Sequence, residues 1–218
     1  MSVKLAVFDC DGTLVDSQAN IVAAMADAFA RAGLSEPDPH ATRRIVGLSL
    51  TEAMAAMLPD AKPALQHSLA ENYRQAFHRL RAAGRLAAEP LYPGVADGLI
   101  ELQARGWALG VATGKSDRGL ALCLAHHGLA AQFVTLQTAD RHPSKPHPAM
   151  LRAAIDEAGA SAAGTVMIGD TVFDVAMGRN AGARSIGVDW GYHEASELIA
   201  AGAERVVVSF DDLLAALP

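Results

Sequence analysis

The sequence predicts an α/β protein: a doubly wound parallel sheet, Rossmann-like, whose first strand is followed by an inserted all-helical segment. Three observations predict it. Short apolar runs alternate with amphipathic helical runs from about residue 95 onward, which is the signature of a parallel sheet covered by helices on both faces. Residues 17–90 carry helical periodicity and no strand pattern. The chain is 51% apolar but only 5% aromatic, a balance that favours helices packed on a buried sheet over an all-β design.

The elements follow in order. Lys4–Phe8 is a short apolar run that suits a buried parallel strand. Asp9-Cys-Asp-Gly-Thr13 then forms an acidic turn. Ser17–Ala32 reads as a helix with Ile21, Met25, Ala28 and Phe29 on one face, and Gly33 is its C-cap candidate. Thr51 is a candidate cap for a helix over Ala53–Leu58, and Ala64–Ala83 is a long amphipathic run stopped by Gly84. Pro90 and Pro93-Gly94 punctuate its end. Thereafter the helices 95–105, 117–127, 147–158 and 172–181 precede the strands Trp107–Ala112, 133–136, Thr165–Ile168 and Arg184–Val188. A last strand, Arg205–Val208, leads into helix Asp211–Ala216. The expected division is a core of residues 1–16 and 91–218 with a helical cap of residues 17–90.

Composition narrows the function. The net charge of −6 and the lack of a basic run argue against nucleic acid and anionic membranes as partners. Cys10 and Cys123 give no disulfide framework and suit a reducing compartment. With no bilayer-length apolar run and no room for a leader ahead of the first strand, the expectation is a cytoplasmic protein. No feature of the sequence speaks to oligomeric state.

In a doubly wound sheet, ligands bind beyond the carboxyl ends of the strands. The residues expected there are Asp9, Asp11, Gly12 and Thr13; Thr113, Gly114 and Lys115; Ser144–His147; and Gly169, Asp170, Thr171 and Asp174. Asp9 and Asp11 lie two apart, so an extended backbone points both the same way, and their repulsion calls for a cation. Asp170 and Asp174 share one face of a first helical turn. Carboxylate oxygens from Asp9 and Asp170, completed by waters, suit Mg²⁺. Thr113 and Lys145 offer a hydroxyl and an ammonium to a phosphoryl group, and Gly12 and Gly114 admit close backbone approach. Each motif alone has an ordinary reading: a capped turn for Asp9–Thr13, a strand-to-helix turn for Thr113-Gly114, a solvated lysine at 145, an N-cap at Gly169-Asp170. Their joint occurrence at successive strand ends is what points to phosphoryl chemistry.

Asp9-Cys-Asp-Gly-Thr13, Thr113-Gly114, Lys145-Pro146 and Gly169-Asp-Thr-Val-Phe-Asp174 resemble the four motifs of the haloacid dehalogenase-like hydrolase superfamily. Ser144-Lys-Pro-His-Pro148, Asn180-Ala-Gly182 and Gly187-Val-Asp-Trp-Gly-Tyr192 look most like its phosphoglycolate phosphatase branch. The resemblance implies Asp9 as nucleophile, forming an aspartyl-phosphate, and Asp11 as general acid and base. It implies Mg²⁺ held by Asp9, Asp170 and the Asp11 carbonyl, with Asp174 anchoring a metal-bound water or Lys145. It further implies a small phosphorylated metabolite as substrate: phosphoglycolate, a sugar phosphate, a nucleotide or pyrophosphate. Asp11 argues against dehalogenase and phosphonate-cleaving relatives. Apolar Ile21 and Leu50 stand where sugar-phosphate mutase relatives carry a histidine and a basic residue. A non-turnover phospho-acceptor domain would have no purpose for Asp11 or for a helical cap.

Other residues draw less. Cys10 reads as a small buried side chain, His126 and His127 as solvated or capping, and Trp190 and Tyr192 as loop packing. His147 is a candidate for the site through its nearness to Lys145. Arg43 and Arg44 are candidates for a substrate carboxylate, against the plainer account of a solvated helix face.

Overall fold

The computed structural model describes residues 3–217. It contains β1 (Val3–Phe8), α1 (Gln18–Arg31), α2 (Pro39–Arg44), α3 (Leu50–Met57), α4 (Pro63–Ala82), α5 (Val95–Ala104), β2 (Trp107–Thr113), α6 (Asp117–His126), β3 (Thr135–Thr138), α7 (Ala149–Glu157), β4 (Ala160–Gly169), α8 (Val172–Ala181), β5 (Arg184–Val188), α9 (Ala195–Ala201), β6 (Arg205–Val207) and α10 (Phe210–Ala216). The six strands form one parallel sheet in the order β3-β2-β1-β4-β5-β6.

Period-2 alternation explains how β1 is covered twice. Leu5 and Val7 join Met150, Leu151 and Met167 on one face, while Ala6 and Phe8 join Leu109, Val111 and Phe210 on the other. Chain order reverses direction across β1, which has β2 on one side and β4 on the other, so its carboxyl end is the switch point where such sheets bind ligands. Helices α1–α4 fall between β1 and α5, contain no strand among the described residues, and build their own apolar cluster around Met25, Phe29, Met54 and Leu69.

Several expected boundaries move. The third strand runs from Thr135, not 133, because Ala130–Gln132 makes a 3₁₀ turn that tucks Phe133 into the core and leaves Val134 56% exposed. Strand β4 begins at Ala160, five residues early, along a half-exposed stretch of small residues that carries no strong periodicity. Thr51 is not a cap: α3 starts at Leu50 behind Ser49, whose extended backbone occupies the N-cap and whose hydroxyl bonds Glu52. Helix α9 was unforeseen. Glu194 and Glu197 close its first turn as a capping box.

Candidate active site

The carboxyl ends of β1, β2 and β4 bring most of the expected residues together. Asp9 continues β1, its N–H bonded to the Ile168 carbonyl at 2.9 Å. Its Oδ1 accepts from the Cys10 N–H at 2.6 Å and faces Lys145 Nζ at 2.9 Å. Its Oδ2 is buried with no hydrogen-bond partner among the described residues. Asp170, at the end of β4, accepts from the Thr13 hydroxyl at 2.7 Å and from the Tyr192 N–H at 3.0 Å. Gly12 has φ +82°, and a Cβ there would come within 2.2 Å of Asp170 Oδ2 and 2.5 Å of the Tyr192 ring. Glycine is required by sterics as well as by backbone angle.

Lys145 is only 1% exposed and bridges Asp9 to Asp174 Oδ1, the latter at 2.6 Å. Asp174 also closes the capping box of α8, where its Oδ2 takes the Thr171 N–H and hydroxyl at 3.1 and 2.6 Å. Burial raises the Asp9 carboxyl to about 7, with Lys145 pulling against it and Asp174 adding to it. Asp170 is pushed well above the carboxylate range by burial and by Asp174 and Asp9. Burial would lower Lys145, but its two carboxylate partners outweigh that and raise it.

A second cluster lies beside the first. Asp11 Oδ1 accepts from the Ser17 hydroxyl and pairs with Lys115 Nζ at 2.7 Å. Burial opposes the Lys115 charge, yet Asp11 holds its pKa well above the ordinary lysine value. Thr113 is fully buried, and its Oγ1 accepts from the Lys115 N–H at 3.2 Å. Above both clusters a cavity of about 900 Å³ opens between the rim and the inserted helices, lined by Asp9, Asp11 and Lys115 below and by Ile21, Met25 and Phe77 above.

Not every candidate is at this cavity. Arg44 makes a bidentate pair with Glu197 at 2.7 and 2.8 Å, tying α2 to α9; it stays part-exposed and does not line the large cavity. Arg43 and the Arg44–Glu197 pair line a separate cavity of about 280 Å³ with His40 and Tyr192. His147 is exposed, and its Nδ1 accepts from the Ala149 N–H at 3.2 Å at the start of α7. Gly114 faces the cap: a Cβ on it would lie 2.8 Å from the Leu48 carbonyl oxygen and 2.9 Å from that of Gly47. Three contacts escaped sequence reasoning. Tyr192 reaches Asp170 through a loop return that no local pattern encodes, Ser17 at the N-cap of α1 turns back to Asp11 six residues earlier, and Ser144 accepts the Ser49 N–H at 2.8 Å to join the rim to the loop ahead of α3.

The family model of the haloacid dehalogenase-like hydrolases matches residues 6–188. The chain belongs to that family. The hydrolase is 36% identical over 214 residues to a Dickeya dadantii protein named "Probable phosphatase IndB", covering 97% of this chain and 92% of that one. It is 31% identical to the phosphoglycolate phosphatase of Vibrio cholerae, with 96% and 94% covered. Among solved structures, a predicted phosphatase from Clostridium acetobutylicum superposes with a TM-score of 0.88 at 25% identity, covering 99% of this chain and 98% of that one.

Three buried carboxylates of the hydrolase, Asp9, Asp170 and Asp174, offer oxygens within 4.8 Å of one another. Lys145 offsets one charge of the three. An ionised carboxylate has about four lone-pair sites. Asp174 spends three on Lys145 and Thr171, whereas Asp9 Oδ2 spends none. An all-oxygen set with excess negative charge and an orphaned oxygen fits a hard divalent cation.

Proposed function

We propose that the hydrolase is a Mg²⁺-dependent phosphomonoesterase acting on a small phosphorylated metabolite through an aspartyl-phosphate on Asp9. The observation that carries this is the unpartnered, buried Asp9 Oδ2 at the sheet's switch point, beside Lys145 and Asp170. Asp9, Asp170 and the Asp11 carbonyl would hold the metal, which supplies positive charge against two approaching anions. Asp174 keeps to anchoring Lys145.

The residues then divide the work. The Asp9 carboxylate attacks phosphorus, a P–O bond forms to Asp9, and the P–O bond to the alcohol breaks. Asp11, protonated in the substrate complex while its Oδ1 still accepts from Lys115, gives that proton to the departing oxygen and then takes one from the water that attacks the phosphorylated Asp9. Alcohol and inorganic phosphate leave. Lys145 and Thr113 hold phosphoryl oxygens, since cations and hydroxyl donors gain most as charge builds there. Residues 17–90 act as a cap over the core of 1–16 and 91–218, excluding water from the reaction. The Vibrio cholerae relative's name supports phosphoglycolate as a substrate to try first. Two cysteines held as thiols suit a reducing cytoplasm.

The test is phosphate release from a panel of phosphate esters. Chelation should abolish it, Mg²⁺ should restore it, and Ca²⁺ should restore it poorly because its bonds are longer. Full turnover after exhaustive chelation overturns the reading.

A further inference from the structure

Resting on the phosphatase reading above, we infer that Lys115 is the specificity-determining residue of the cavity, its ammonium taking a carboxylate carried close to the ester oxygen on the alcohol half of the substrate. Its main chain is braced: the Lys115 N–H donates to Thr113 Oγ1 at 3.2 Å, and its carbonyl accepts from the Ala139 N–H at 3.2 Å. The side chain therefore leaves the end of β2 in a fixed direction and brings Nζ to 2.7 Å from Asp11 Oδ1.

Two lysines stand at the rim, and they differ in what they can still bind. Lys145 has 0% side-chain exposure and is held by two carboxylates. Lys115 keeps 14% side-chain exposure, lines the cavity, and has Asp11 as its ion-pair partner among the described residues. An ammonium carries three donors, so a ligand anion can be taken without giving up Asp11. The Ser17 hydroxyl holds the same Asp11 oxygen and steadies it if Lys115 turns toward a ligand.

Position decides the class of ligand. If Asp11 protonates the ester oxygen, the first carbons of the alcohol pass beside Lys115. The Ile21, Met25 and Phe77 side of the cavity offers nothing to an anion, and a charge on a short spacer is the one that Lys115 meets. Arg74, Arg81 and Arg118 also line the cavity, but all three are exposed, where a charge pair gains little.

The test compares 2-phosphoglycolate with its carboxamide, which keeps shape and removes charge. The wild type should favour the carboxylate in kcat/KM by about 10–100-fold, the range expected for one charged hydrogen bond. Lys115→Met should collapse that ratio, chiefly through KM, and Lys115→Arg should recover part of it. A wild-type ratio near one overturns the inference even if the variants fail to fold. So does an unchanged ratio in a folded Lys115→Met, which would leave Lys115 serving Asp11 alone. If the wild type released phosphate from neither probe nor any other ester, the phosphatase reading itself would fall.

Discussion

The two lysine–carboxylate clusters at the rim use the same chemistry to opposite ends. Around Lys145, one ammonium is shared by two of three clustered, buried carboxylates, and an oxygen of Asp9 stays unpaired. Around Lys115, one carboxylate meets one ammonium and a hydroxyl, at the floor of a cavity. The first cluster is over-supplied with carboxylates and has the oxygens to take a cation. The second is balanced and has donors to spare for a ligand. Burial sets the difference, because a charge removed from water must find its complement locally.

The largest break in this comparison comes from Asp9→Asn, which keeps shape and removes the attacking charge. Turnover should fall by at least about 10⁴-fold with every ester while the fold survives, and mass spectrometry of quenched wild type should find phosphate on Asp9. Phosphate on another residue would refute the assignment.

Asp11→Asn should act more selectively. Formation of the aspartyl-phosphate should slow by about 10²–10⁴-fold with an alkyl phosphate but far less with p-nitrophenyl phosphate, whose leaving group needs no proton. Rapid-quench traces would then show a nitrophenol burst followed by slow steady turnover. Equal slowing of both bursts would make Asp11 a metal or folding residue.

Charge excess in the first cluster has a stability signature in chelator. Burial raises Asp9 to about 7 and Asp170 upward, so the folded state binds more protons than the unfolded chain does between ordinary carboxylate values and pH 7. Stability of the metal-free protein should therefore fall as pH rises through that window. Asp170→Asn should raise Tm in chelator by about 2–4 °C for each kcal/mol of repulsion relieved, and should abolish the Tm gain that Mg²⁺ gives the wild type. Thermal melts across pH with and without Mg²⁺ measure both.

The smallest effect is expected where neither cluster is touched. The Arg44–Glu197 pair is about one-third exposed on each side, so Arg44→Gln should cost no more than about 1 kcal/mol and leave substrate ranking unchanged. A reordering of substrates would return Arg44 to the list of ligand contacts.

How much of this was legible depended on how local each signal is. Strand β1 and the acids after it could be read because an apolar run, a turn and two carboxylates lie within ten residues of one another. Asp170 and Asp174 were legible as neighbours, but not as one face of a helical turn: Asp170 follows β4 ahead of the Thr171 N-cap, and only Asp174 lies in the first turn of α8. Strand β3 was displaced because Phe133 and Val134 look like strand residues while a 3₁₀ turn spends them. The partners of Asp170 and Asp11 were not legible: Thr13 lies 157 positions from Asp170, and Tyr192 reaches it from a loop after β5. Lys115 stood in the expected rim, but its pairing with Asp11 depends on the β1 and β2 ends lying side by side, which only the sheet order supplies.

Gly114 carries a consequence for keeping a reactive intermediate safe. The carbonyl oxygens of Gly47 and Leu48 occupy the space a Cβ would take, with no room for so much as a methyl group. This contact is a gasket between the end of β2 and the loop ahead of α3, and its tightness comes from a missing atom. A phosphorylated aspartate is an acyl phosphate, open to any passing nucleophile. An alanine at 114 would hold the seam ajar even with every catalytic side chain intact, and solvent or added alcohols would compete for the phosphoryl group. Leakage of phosphate to a small alcohol, rather than a lost rate, would be the mark of that wedge.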